Sequence, residues 1–174
     1  MKYALLLILA AFTLHTSFAQ QKKPAPAPDS TLPYLKYPTL PAFNILLEDS
    51  STLYNTYDIP DDKPTVLVLF SPDCEHCQKF TAELLNKMDS LKGVNFVFFT
   101  PMPLSELHKF TGRLELSKYK NILAVGKDYL YFSLSFYDVK YVPVIAVYNR
   151  KKRFVKRYEG SVKVHDIIAL TQGL

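Results

Sequence analysis

Both cysteines of this 174-residue chain fall in one tetrapeptide, Cys74-Glu75-His76-Cys77. Two thiols at that spacing can close into one disulfide, or remain a dithiol and attack disulfides elsewhere. The attacking species is the thiolate, so the pair needs surroundings that stabilise an anion. The flanking residues supply them. Upstream, Thr65-Val66-Leu67-Val68-Leu69-Phe70 is a continuous apolar, β-branched run of the kind buried on both faces of a sheet. Downstream, Phe80, Leu84, Leu85 and Met88 recur at helical spacing. Cys74 therefore falls where a strand gives way to a helix N-terminus, whose free N–H groups and dipole favour a negative charge. Thiols so placed titrate at about 3.5–7.5, against ~8.5 for a free cysteine. Cys74 is the candidate nucleophile. Cys77, one helical turn further in, is the thiol that resolves the mixed disulfide. A purely structural disulfide is the competing reading, but so short a loop adds little stability.

The neighbours of the thiols act in opposite senses. A charged His76 would stabilise the Cys74 thiolate and make the disulfide more oxidising, whereas Glu75 opposes it. Asp73, just before the first cysteine, is a further charge within reach. A zinc site is excluded, because it needs four ligands and no second close pair of Cys or His exists.

Composition describes the rest of the chain as globular, with 48% apolar and 21% charged residues. Two cysteines cannot form a disulfide framework for a domain of this size. The net charge of +5 is concentrated between Arg150 and Arg157, in an expected turn and edge strand. Lys and Arg there commonly prevent edge-to-edge pairing. The N-terminus reads as an export signal over residues 1–19. It has Lys2, an apolar stretch from Tyr3 to Leu14 too short to span a bilayer, and Ser17-Phe18-Ala19 before a cleavage point at Gln20. Residues 20–40, with Pro24, Pro26 and Pro28 alternating with Ala, read as a semi-extended linker; for the Pro33–Pro41 half the alternative is a segment packed on the domain, because Tyr34, Leu35, Tyr37 and Leu40 are apolar. Residues 41–174 form the expected domain. Export places the thiols where a disulfide can persist, and makes nucleic acid an unsuitable partner for the basic cluster.

Strands are expected at 43–47, 65–70, 94–100, 122–125, 144–148 and 153–158, with a further extended piece over 51–59. Helices are expected at 75–90, closed by Lys92-Gly93, at 105–118, at 129–137 and at 162–170. Gly126-Lys127-Asp128 reads as a turn. Strand–helix–strand units followed by a hairpin make an α/β fold, a central mixed sheet with helices on both faces.

This order of elements, with Cys-x-x-Cys opening the first major helix and Val142-Pro143 opening a late strand, resembles the thioredoxin-like family. The Pro41-Ala42-Phe43 start, the segment 121–137 and the export signal resemble its TlpA-like periplasmic branch. The resemblance implies a thiol–disulfide oxidoreductase with Cys74 and Cys77 as its redox pair, no cofactor and no resident metal. It also implies a cis peptide at Val142-Pro143, whose backbone faces the first cysteine and pairs with a substrate segment as an added strand. The implied partners are protein thiols and disulfides together with a membrane electron-donor or acceptor protein, the chain itself working as a monomer. Three positions depart from the pattern. Asp73 replaces the usual Trp, Val68 replaces the buried acid, and Phe80 stands where TlpA-like reductases often carry Glu. A thioredoxin-fold copper chaperone, with His108 or His165 as third ligand, is the alternative from another class, although those chaperones space their cysteines by three residues. A disulfide-forming oxidase of the same fold is the other. Peroxiredoxin chemistry lacks its Pro-x-x-x-Thr-x-x-Cys motif. Charges at a helix start are worth about 0.3–1 kcal/mol, so His76 and Glu75 move the potential by only about 10–20 mV. About 150 mV separates reducing from oxidising members, so the branch outweighs the dipeptide and a reductase is expected.

Overall fold

The computed structural model describes residues 31–174. The expected signal peptide and residues 20–30 of the expected linker lie outside the described residues. In chain order the elements are α1 (Pro33–Lys36), β1 (Asn44–Leu47), β2 (Leu53–Asn55), β3 (Thr65–Leu69), α2 (Glu75–Asn86), β4 (Asn95–Thr100), α3 (Leu104–Leu114), β5 (Ile122–Lys127), α4 (Phe132–Phe136), β6 (Val144–Tyr148), β7 (Phe154–Glu159) and α5 (Val164–Thr171).

The apolar runs become the middle of the sheet. Strands β3, β4 and β6 are buried at every position. β3 pairs in parallel with β4 and antiparallel with β6. A parallel pair requires a crossover, and α2 provides it. The full order is β2-β1-β5-β4-β3-β6-β7, a seven-stranded mixed sheet. The strand pleat sorts side chains between its two faces. Val66, Val68, Phe96, Phe98, Ile145 and Val147 lie with Phe80, Leu84, Phe110 and Ile167 of α2, α3 and α5. Leu67, Leu69, Val97, Phe99, Ala146 and Tyr148 lie with Phe136 and Tyr137 on the other side. Each such buried side chain stabilises the fold by about 1.5–3 kcal/mol. The expected α/β class, with helices on both faces, is observed.

Several boundaries differ from expectation. The linker was expected to run to residue 40, yet residues 33–40 pack on the domain. Leu40 is 7% exposed, Thr39 bridges to Arg153, and Tyr34 lies 5.3 Å from the Phe154 ring. Burial of Tyr34 and Leu40 outweighs the extended preference of the surrounding prolines. Helix α2 stops at Asn86, and Met88–Leu91 tightens into a 3-10 turn. Lys87 caps the helix at φ −109, ψ 10, and Gly93 has no positive φ, so it is not a left-handed cap of α2. Helix α3 ends where Glu115 takes φ 50, followed by a 3-10 turn over Leu116–Lys118. Strand β5 continues through Gly126 to Lys127 instead of turning. Gly126 faces Leu47 of β1, and a Cβ there would meet Ile45 Cγ2 at 2.6 Å and the Leu46 carbonyl oxygen closer still. That glycine serves a close strand approach, not a turn. The aromatic segment after Asp128 does form a helix, α4, whose start is held by Asp128. Its carboxylate accepts from the Phe132 and Ser133 N–H groups and the Ser133 hydroxyl. Of the basic cluster, Lys156 is exposed on β7, an edge strand, and Arg153 is exposed just before it, whereas Arg157 is largely buried against Glu159.

Candidate active site

Strand β3 ends in the core, and Ser71-Pro72-Asp73 carries the chain to α2. Cys74 is the N-cap of that helix. Its N–H donates to Ser71 O at 3.1 Å, its carbonyl accepts from Gln78 N at 3.0 Å, and its Sγ accepts from Cys77 N at 3.2 Å. The sulfur thus does what a capping Ser or Asp oxygen does elsewhere, satisfying an N–H that the first turn leaves without a helical partner. Both cysteines are free thiols, Cys74 half-buried and Cys77 fully buried. Burial pushes the Cys77 thiol well above its ordinary range, and its hydrogen bond with Cys74 adds to the effect.

The start of β6 completes the site. Val142-Pro143 is a cis peptide, as the resemblance implied. The Val142 carbonyl lies 3.6 Å from Cys74 Sγ and accepts from the thiol. Val142 is half-buried and Pro143 buried. Cys74, Cys77, Val142 and Pro143 are therefore brought together.

Asp73, Glu75 and His76 are all exposed on the same loop and first helical turn. Glu75 does not stand alone, because Lys79 pairs with it at 2.5 Å one turn along α2. The hydrogen bond from Lys79, and then its charge, hold the Glu75 carboxyl below the usual range. Lys79 was not singled out from the sequence, although Glu and Lys at i and i+4 are a readable pair. Gln78 was also missed. Its side-chain amide donates to Pro72 O at 2.7 Å and ties the cysteine loop to the helix. That bond depends on how the chain bends at Pro72 and leaves no sequence pattern.

The positions that lack the usual acids are apolar in fact. Val68 is fully buried and Phe80 is 4% exposed, both in the cluster that holds Cys77. Asp128, the fully buried acid, is committed to the start of α4. Glu106 joins Pro72, Asp73 and Gln78 around a cleft of about 480 Å³, with one carboxylate oxygen buried and unpartnered. His108 and His165 do not join the thiols. His108 Nε2 bonds Glu48 O at 2.9 Å, His165 is exposed on α5, and no cluster of three or more metal-type side chains occurs among the described residues.

The family model of the thioredoxin-like domain matches residues 59–172. The chain belongs to the thioredoxin-like family. No sequence among the curated proteins matches it. Solved structures agree in fold. A secreted disulfide oxidoreductase of Mycobacterium tuberculosis, homologous to E. coli DsbE, superposes with a TM-score of 0.61 at 17% identity, covering 76% of this chain and 96% of that one. A thiol:disulfide interchange protein of Chlorobium tepidum gives 0.63 at 12% identity, covering 78% and 94%. The M. tuberculosis peroxidoxin BcpB gives 0.64 at 12% identity, covering 78% and 95%.

Proposed function

We propose that this thioredoxin-like protein is an exported thiol–disulfide oxidoreductase that reduces disulfides in protein substrates. One observation carries the reading. An accessible thiol caps a helix, receives an N–H from its partner cysteine, and lies beside a carbonyl at the start of a strand. In the proposed cycle the Cys74 thiolate attacks one sulfur of a substrate disulfide. An intermolecular S–S bond forms, and the substrate's other sulfur leaves as a thiolate that takes up a proton. Cys77, after losing its own proton, attacks Cys74 Sγ. The Cys74–Cys77 disulfide forms and the substrate's second thiolate departs. Two electrons have moved from the chain to the substrate, and a dithiol donor must return them.

Export is supported by the signal-like residues 1–19, and a periplasmic, TlpA-like role would make that donor a membrane protein. The reducing direction rests on the same branch resemblance. Lys79 offsets Glu75 and so weakens its opposition to His76, but each exposed charge at the helix start is worth only about 0.3–1 kcal/mol. Asp73, Glu75 and His76 then tune the pair only modestly, and the backbone at Val142-Pro143 pairs with the substrate segment. The copper reading has no third ligand within the described residues.

The test is thiol trapping. Cys77→Ser should accumulate mixed disulfides through Cys74, because the intramolecular resolving thiol is gone. If Cys74→Ser traps partners instead, the roles are reversed. Direction is read from the Cys74–Cys77 potential in a glutathione buffer. A value near about −120 mV, that of a strongly oxidising relative, would refute the reductase.

A further inference from the structure

The segment before the cis peptide is fastened by a charged pair on the neighbouring edge strand. One Glu159 oxygen accepts both the Lys140 N–H at 2.6 Å and the Tyr141 N–H at 2.8 Å. Its other oxygen pairs with Arg157 Nη2 at 2.9 Å, and that guanidinium also donates to Asp138 O. These side chains are largely buried, at 20% and 14% exposure. Two residues beyond the clamp's first contact, Val142 O touches Cys74 Sγ. Between them Tyr141 is 73% exposed. A large aromatic held out at a fixed backbone position, one residue from the carbonyl that touches a reactive thiol, is what a docking contact requires. Aromatic anchors carry much of the binding energy at interfaces, and a pre-ordered backbone loses little entropy on binding.

We propose that Tyr141 is a recognition residue for polypeptide partners, contacting an apolar or aromatic side chain next to the partner's reacting cysteine. Glu159 is the positioning residue that holds Tyr141 and the Val142 carbonyl over Cys74. The occupant is an extended peptide segment, since only a chain pairing along the start of β6 brings a flanking side chain to Tyr141 while its sulfur reaches Cys74. This inference rests on the dithiol acting on protein disulfides.

The experiment compares the full chain with Tyr141→Ala, Glu159→Ala and Glu159→Gln on two substrates, insulin and the small disulfide dithiobis(nitrobenzoate). Tyr141→Ala and Glu159→Ala should each lose about tenfold in kcat/KM on insulin, the effect of one well-placed anchor, while Tyr141→Ala, which leaves the Val142 carbonyl in place, should reduce the small disulfide within about twofold of wild type. Glu159→Gln, whose carbonyl still accepts both N–H groups, should keep most of the insulin rate. Unchanged insulin rates in Tyr141→Ala, or equal losses on both substrates in that variant, overturn the proposal. A wild-type protein inert towards both disulfides overturns the oxidoreductase reading itself, and this inference with it.

Discussion

Gly126→Ala tests whether the edge of the sheet is built on a close strand approach. Gly126 is paired with Leu47, and the new methyl would lie 2.6 Å from Ile45 Cγ2 and nearer still to the Leu46 carbonyl oxygen. The obstacle is partly backbone, so no side-chain rotation relieves it. Strand β1 must withdraw. It is held to β5 only through the Leu46–Lys127 and Leu47–Gly126 pairs, so withdrawal weakens ladder hydrogen bonds worth about 1 kcal/mol each. It also loosens Ile45, which is 0% exposed and whose burial is worth about 1.5–3 kcal/mol. Replacing Gly by Ala stiffens the unfolded chain and offsets about 0.4–1 kcal/mol. The net destabilisation is about 2–4 kcal/mol, a Tm reduction of roughly 5–15 °C for a chain of this size.

The assay is thermal and urea unfolding of the reduced protein, with disulfide reduction measured at 25 °C on the same samples. Activity should survive well below the new Tm, because β5 lies beyond β4 from the cysteine-bearing end of β3. A loss under about 0.5 kcal/mol would refute the reasoning, since a real clash with backbone cannot be so mild.

Iodoacetamide on the native, reduced protein should alkylate Cys74 alone, Cys77 reacting only after unfolding; two adducts on folded protein would contradict the buried position of Cys77. Deleting residues 31–40 should cost about 2–4 kcal/mol through lost burial of Leu40 and Tyr34, whereas deleting 20–30 should leave Tm unchanged. Asp49 is held down to about 2 by the Thr52 hydroxyl and then by the Thr52 and Ser51 N–H groups. A depressed carboxylate stabilises above its unfolded pKa and loses that contribution as pH falls through the folded value. Wild type and Asp49→Asn should therefore differ most above about pH 4 and converge near pH 2, as read from urea midpoints against pH. A difference growing towards acid would reverse the sign.

The parts of this fold that could be read from residues are those where burial is extreme. Val66 to Leu69, Phe96 to Phe99 and Val144 to Val147 are apolar at successive positions because both faces of those strands are covered, and a run without alternation says so directly. The cysteine pair was legible for the same reason, lying between such a run and a helical periodicity. Gly126 misled because the sequence shows a small residue without showing which strand passes it. The prolines favoured a linker over residues 33–41, while the apolar Tyr34, Leu35, Tyr37 and Leu40 already carried the signal of a segment that packs. Gln78 and Glu159 fasten the site through bonds set by side-chain conformation or by contacts across the fold, whereas the Glu75–Lys79 pair follows a readable i,i+4 spacing. Glu159 lies 18 positions from the Tyr141 N–H that it holds, and no local pattern carries that.

Cys77 raises the sharpest physical question in the proposed cycle. It is fully buried beside Val68 and Phe80, and its thiol is pushed up by that burial and by its bond with Cys74. A standing thiolate there would be an unpaired buried charge, which costs several kcal/mol. A carboxylate at position 68 or 80 would have been the base, and neither position has one. The attack by Cys74, however, generates a base of its own. The substrate sulfur that leaves does so as a thiolate of pKa ~8.5, released at the site. Passing the Cys77 proton to that sulfur, directly or through one water, uncovers the resolving thiolate only once the mixed disulfide it must attack has formed. The apolar surroundings of Cys77 then keep that thiol protonated at rest, and the substrate itself supplies the proton acceptor that a carboxylate would otherwise have been.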